Sequence, residues 1–152
     1  ADFRQLVRGR RLRLQRTEPN IGALATALAD PVNPVTAQYH LAFVASDTFY
    51  EHTHRYPGQR HDWQADVDPL LSHAQTYCAR IGLDLSDSDR VRLQHACYEL
   101  TRGAHSDTPS TAAYLGGVAA QEVIKILTVQ YIPLDNTCVY DGIVQAVSSF
   151  RL

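Results

Sequence analysis

TAAYLGGVAAQEVIKILT, residues 111–128, is the stretch on which the reading of the whole chain turns. As an α-helix it spans about 27 Å, at about 1.5 Å per residue. Past the first turn its only strongly polar side chains are Gln121, Glu122 and Lys125. Glu122 and Lys125 stand three apart and Gln121 and Lys125 four apart, so all three share one narrow stripe where an ion pair and an amide can be satisfied together. A helix apolar over most of its circumference is expected to be buried. Gly116, Gly117, Ala119 and Ala120 project almost nothing, which lets another backbone come close. An interior or interface helix is the expectation, with its neighbours supplied by the rest of the chain.

Working outward, Thr128 closes the helix and the period changes. Pro133 ends a short extended piece, Leu134-Asp135-Asn136 makes a turn, and Thr137 to Tyr140 reads as a strand. Asp141-Gly142 is a hairpin signal leading to a second strand in which Val144, Ala146, Phe150 and Leu152 share a face. On the other side, Ala104 to Ser110 is a polar connection, with Ser110 or Thr111 expected to cap the helix. Before it, a helix is predicted from a cap near Ser88 through Val91, Leu93, Ala96, Cys97 and Leu100 to Gly103. Another runs from Asp62 or nearer Asp68 to Gly82, with Pro69 near its start and Val67, Leu70, Leu71, Ala74, Tyr77, Cys78 and Ile81 in helical spacing. A long helix covers about 35–54, with Tyr39, Ala42, Phe43, Val44, Thr48 and Tyr50 recurring along it, and stops at Tyr56-Pro57-Gly58. Asn20 caps a short helix bearing Ile21, Leu24 and Leu28, which the two prolines of Asp30 to Pro34 end. Residues 11–16 alternate Arg-Leu-Arg-Leu-Gln-Arg and read as a half-exposed strand.

Length and composition bound the rest. The 152 residues can bury one core and do not force a second domain. With 14 basic and 16 acidic residues no overall charge argues for nucleic acid or a membrane surface. Six arginines between Arg4 and Arg16 form a local basic run, but only Phe3 could stack a base there, so a solvated edge is the expected reading. There is no methionine, and a chain opening on Ala-Asp-Phe is expected to be part of something longer. No apolar run reaches the ~18 residues of a membrane span and no leader is evident, so a soluble intracellular protein is expected.

Chemistry is sparse. Cys78, Cys97 and Cys138 are widely spaced, which gives neither a disulfide framework nor a closed zinc site. A Cys97 nucleophile is disfavoured because His95, two residues away on a helix, points elsewhere. His52 and His54, also two apart, make a poor metal pair. Gly116-Gly117 lack the third spaced glycine of a dinucleotide loop. Asp66 and Asp68 project from different sides of a helix, while Asp84, Asp87 and Asp89 crowd a loop and cap, so no acid–base pair emerges.

The run Tyr114-Leu-Gly-Gly-Val-Ala-Ala-Gln-Glu-Val-Ile-Lys125 resembles the tail of the inactive, adenylation-like half of ubiquitin-activating-type enzymes. Ile132-Pro133 and Tyr140-Asp141-Gly142 resemble the strand pair after that helix. Arg55-Tyr56-Pro57-Gly58, Asn136-Thr137 and the ending Phe150-Arg151-Leu152 are similar to one branch, the regulatory (amyloid-precursor-binding-protein type) subunits of neddylation-activating enzymes. The similarity covers residues 35–152 well and 1–34 loosely. It implies an α/β fold: the C-terminal portion of a ThiF-like, Rossmann-type adenylation domain, mostly helical here with a terminal β-hairpin, preceded over 1–34 by a strand–helix lead-in.

The resemblance implies a regulatory role without catalysis in this chain. ATP and magnesium would belong to the complete heterodimer, with no cofactor held by this chain. The partners implied are the catalytic subunit and, through it, a ubiquitin-like modifier, with no nucleic acid and no membrane; the location implied is cytoplasm and nucleus. Tyr114, Gly116, Gly117, Gln121, Glu122, Lys125 and Tyr140 are the implied packing or partner-interface residues. The central helix would lie on the sheet of the parent domain, with helices 35–54, 62–82 and 88–103 covering it or bordering a helical insertion. Taken alone, the chain would then leave that helix with exposed apolar surface. Rival readings are the inactive half of a ubiquitin- or SUMO-type activating enzyme, a self-sufficient ThiF-like adenylyltransferase with its active site upstream, and a plain helical interaction module that folds with its helix enclosed.

Overall fold

The computed structural model of the chain describes residues 20–30, 34–104, 106, 108–134 and 137–151. The arginine-rich start, the strand expected over 11–16, the turn at 135–136 and Leu152 lie outside the described residues. The order of elements is α1 (Ile21–Leu28), α2 (Pro34–Thr53), a 3-10 turn (Trp63–Asp66), α3 (Val67–Ile81), α4 (Asp87–Arg102), α5 (Pro109–Thr128), β1 (Thr137–Asp141) and β2 (Ala146–Phe150).

The core belongs to α1–α4. Leu24 and Leu28 of α1 share one buried cluster with Leu41, Ala45 and Phe49 of α2, Leu70, Ala74 and Cys78 of α3, and Leu93, Ala96 and Cys97 of α4. Each fully buried leucine or phenylalanine contributes about 1.5–3 kcal/mol by leaving water. The inward stripe of α2 is therefore Ala37, Leu41, Ala45 and Phe49, at a spacing of four. Phe43 and Tyr50, expected on the apolar stripe, are 54% and 44% exposed. Apolar residues recur on more than one arc of this helix, and their spacing alone does not say which arc faces in.

Helix ends follow local chemistry. Asn20 accepts a hydrogen bond from the Ala23 N–H at 3.1 Å, as its side chain predicts. Pro69 occupies the first turn of α3, where its missing N–H costs nothing, and the 3-10 turn holds Trp63 ahead of it. Gly82 ends α3 in the left-handed region, φ 71°. The start of α4 differs from the expectation: the cap is Ser86, not Ser88. Ser86 has extended backbone and accepts from the Asp89 N–H, while the Asp89 carboxylate accepts from the Ser86 N–H, a reciprocal capping box; Ser88 lies already inside the first turn. Ser86→Ala should therefore lower unfolding free energy by about 1 kcal/mol in a urea titration, and Ser88→Ala by much less. Likewise α5 starts earlier than expected: Thr108, not Ser110 or Thr111, holds the N-cap position, without a side-chain capping bond, and Pro109 takes the first helical position that suits it.

The two strands pair antiparallel, Thr137 with Phe150 and Asp141 with Ala146. The connection is four residues, 142–145, rather than a two-residue Asp-Gly turn. Asp141 Oδ1 accepts from the Ile143 and Val144 N–H groups at 2.8 and 3.4 Å, which curls the loop back on the strand end. Val144 consequently sits in the loop, 62% exposed, and does not share the face of Ala146 and Phe150. The hairpin leans on α2, where Phe150 meets His40 edge-on with ring centroids 6.3 Å apart. Burial lowers the pKa of that histidine.

The architecture is thus mostly helical with one two-stranded hairpin. The three helices expected over 35–54, 62–82 and 88–103 are present as α2, α3 and α4. They pack on one another, and α5 forms no packed face with any of them. No residue of α5 is buried. None of the described helices is long and apolar enough to cross a membrane.

Candidate interface and cleft

Along α5 the polar stripe forms as its spacing predicts. Lys125 Nζ donates to Glu122 Oε1 at 2.6 Å, and the other Glu122 oxygen accepts from the Leu134 N–H at 2.7 Å. Glu122 thereby ties the chain leaving the helix back onto the helix, and the Lys125 hydrogen bond, then the Leu134 N–H, hold its carboxyl below the usual range. Gln121 is exposed on the same side. The rest of the surface is apolar and open: Tyr114, Leu115, Val123, Ile124, Ile126 and Leu127 are 37–76% exposed. Gly116 and Gly117 have nothing within 4 Å of where a Cβ would stand, so the close backbone approach expected there is absent among the described residues. Tyr114 and Tyr140 do meet, with ring centroids 4.7 Å apart at 38°. A Cβ on Gly142 would come within 3.3 Å of Thr111 Oγ1, which places the hairpin loop against the first turns of α5.

Between that contact and the helical core lies a cleft of about 970 Å³. Its walls are α2, the 56–59 turn, the end of α4, the start of α5 and the hairpin loop. Tyr39 is its most perturbed group. Burial first, then Asp141 and Glu99, push its hydroxyl up to about 12, so it stays protonated and available for hydrogen bonding. Glu99 accepts from both Nε and Nη2 of Arg102, at 3.1 and 2.5 Å.

One charged cluster had no signal in the spacing of acidic residues. Asp66, 4% exposed, accepts from both terminal nitrogens of Arg55 at 2.5 Å and from the Gly58 N–H at 2.9 Å. Arg55 in turn lies over the Phe49 ring, 5.1 Å from its centroid. Gly58, at φ 83°, sits where a Cβ would be 2.1 Å from the Thr101 carbonyl oxygen. Arg55-Tyr56-Pro57-Gly58 is therefore a clasp that fastens the end of α2 to the start of α3 and the end of α4. The sequence singled out the four residues, while their partner Asp66 could be found only by folding. Gln38 is a second residue the sequence reading passed over: wholly buried, it donates through Nε2 to Asp89 at 3.4 Å.

The remaining candidate groups offer no reaction centre. Burial pushes the Cys97 thiol up to about 12 and the Cys78 thiol to about 11, far from a thiolate nucleophile, and His95 is exposed on a different side of α4. His52 stacks on His73 at 5.1 Å, and among the described residues no three histidine, cysteine or carboxylate side chains converge. Gly116 and Gly117 lie mid-helix, where their N–H groups are spent on the helix and cannot cradle a phosphate. Among the described residues, then, the glycine pair offers no phosphate cradle and no such cluster offers a metal site.

No protein-family profile matches the chain. Individual relatives do. The chain is 32% identical over 114 residues to the NEDD8-activating enzyme E1 regulatory subunit of Gallus gallus, covering 74% of this chain and 20% of that protein. It is 33% identical over 114 residues to the Drosophila melanogaster subunit of the same name, covering 75% and 21%. It is also 29% identical over 116 residues to ubiquitin-activating enzyme E1 1 of Schizosaccharomyces pombe, covering 76% and 11%. Over about three quarters of its length the chain is thus homologous to proteins of the E1 activating-enzyme superfamily. Within that superfamily it is a homologue of the regulatory subunits of NEDD8-activating enzymes. It spans about a fifth of the length of those relatives.

Proposed function

We propose that the chain is part of the regulatory, non-catalytic half of a heterodimeric activating enzyme for a NEDD8-type modifier, and that its contribution is scaffold. The observation that carries this is α5. At about 100° per residue, Leu115, Ile126, Val123, Leu127 and Ile124 cover roughly half the circumference, wider than the ~100° stripe of a helix packed on one neighbour. Leu127 alone is 76% exposed. Such an arc calls for cover on more than one side. In the proposed assembly one neighbour is the mostly parallel sheet of a Rossmann-type domain, on which crossover helices lie, and the other is the catalytic subunit. ATP and Mg²⁺ would be held by the complete heterodimer; when bound they supply activation of the modifier's C-terminal carboxylate. The role of this chain's own residues is to hold α5, its Glu122–Lys125–Leu134 tie and the hairpin in place.

The test is ATP–pyrophosphate exchange by the full-length protein, alone and with a candidate catalytic subunit, against NEDD8-, ubiquitin- and SUMO-type modifiers. Exchange only with the subunit and a NEDD8-type modifier is the expected result. Exchange with ubiquitin or a SUMO-type modifier instead would move the protein to another branch of the superfamily, and exchange by the protein alone would replace the scaffold reading with that of a self-sufficient adenylyltransferase.

A further inference from the structure

The scaffold reading leaves the cleft between α2, α4 and the hairpin loop without a role. Its 970 Å³ lies at the upper end of the range for ligand pockets, about 300–1,000 Å³. Two of its walls carry exposed rings, Phe43 at 54% and Tyr56 at 45%. Three carboxylates, Asp47, Glu99 and Asp141, line it against one cation among the described lining residues, Arg102. Arg102 gives two donors to Glu99, so that pair is neutral and Asp47 and Asp141 set the charge of the cleft. Asp141 is 4% exposed and its Oδ1 accepts from the Ile143 and Val144 N–H groups, so Asp47 is the carboxylate open to a ligand. Phe43 and Asp47 stand one turn apart on α2, which sets a ring and an exposed carboxylate side by side.

We propose that this cleft docks an extended segment of a partner protein that carries arginine or lysine beside an apolar residue. The cation stacks on Phe43 or Tyr56 and pairs with Asp47, while its backbone meets the hydroxyl-rich start of α5, Ser110 and Thr111. The same negative lining turns away phosphates and nucleotides, so the cleft is distinct in kind from a nucleotide site.

The experiment measures fluorescence anisotropy of a labelled peptide, Gly-Leu-Arg-Gly-Leu-Arg-Gly, and of its glutamine-for-arginine twin, with the full-length protein at low and at physiological salt. The arginine peptide should bind about tenfold or more tighter than the twin, and the difference should shrink as salt rises. Asp47→Asn should remove most of it. Asp47 is exposed on α2, so thermal melting of that variant should match the parent. Equal binding of the two peptides, binding unaffected by Asp47→Asn, or displacement of the peptide by ATP would each overturn the proposal. The assay contains no catalytic subunit and no modifier, so its outcome is independent of the exchange test above.

Discussion

Replacing Gly58 by alanine should unfold the clasp between α2, α3 and α4, lowering stability by about 3 kcal/mol or more and the midpoint of thermal unfolding by roughly 10 °C. Two causes add. The backbone at Gly58 has φ 83°, a conformation that side-chain-bearing residues rarely adopt. The new methyl would also stand 2.1 Å from the Thr101 carbonyl oxygen and 2.6 Å from Ala104 Cβ, and the first of these is main chain that cannot swing away. Relief requires the 55–58 turn to lift from the end of α4, which breaks the hydrogen bond from the Gly58 N–H to Asp66. Gly82 separates the two causes. It has φ 71° but nothing within 4 Å of a Cβ, so Gly82→Ala should cost only the backbone term, about 1 kcal/mol. Circular-dichroism melts of both variants decide the matter: equal losses would mean that the contact with Thr101 is not the cause.

The helices were legible because their signals are local. Asn20 before Ile21, Gly82 after Ile81 and the spacing of Leu70, Ala74 and Cys78 each act within a turn or two, and each appears where the residues predict it. The caps of α4 and α5 were displaced by two or more residues because serines and threonines crowd both starts. The choice falls to partners further along: Asp89 completes the box with Ser86, and Pro109 fixes the first position of α5. The inward face of α2 was less legible, since Phe43 is as apolar as Leu41 and Phe49, Tyr50 carries a ring of similar size, and only the positions of α3 and α4 choose between them. The burial expected for the 111–128 helix, with neighbours supplied by the rest of the chain, is not found: none of its residues is buried. The residues do call for cover, and within the described chain that cover is not there. For the candidate interface, the Glu122–Lys125 pair was readable from a spacing of three. The third member, the Leu134 N–H, lies twelve residues on, and no pattern rule points to it. The Tyr39–Asp141 and Arg55–Asp66 pairings are tertiary in the same way.

Asp66→Asn should be at least as damaging as the glycine change at neutral pH and should differ from it in acid. The carboxylate is 4% exposed and accepts three hydrogen bonds, two from Arg55 and one from Gly58. An asparagine of the same shape must turn an amide N–H₂ toward a donor, leaving the Arg55 guanidinium, whose side chain is only 18% exposed, without its counter-charge. Removing one partner of a buried pair costs about 3–5 kcal/mol. The hydrogen bonds from Arg55, foremost, and then the Gly58 N–H, hold the Asp66 carboxyl below its ordinary value against the opposing effect of burial. A carboxyl depressed in the folded state takes up its proton more readily when unfolded. Its stabilisation is thus complete well above the ordinary aspartate pKa of about 4, and it declines as pH falls through that value toward the folded one. The parent should therefore lose stability as pH falls below about 5 by an amount that Asp66→Asn, having no proton to gain, does not lose. The gap between the two urea midpoints should narrow across that window while the Gly58→Ala gap narrows much less. A constant gap for Asp66→Asn from neutral to acid pH would mean that the carboxylate charge contributes nothing, and that the clasp is held by shape alone.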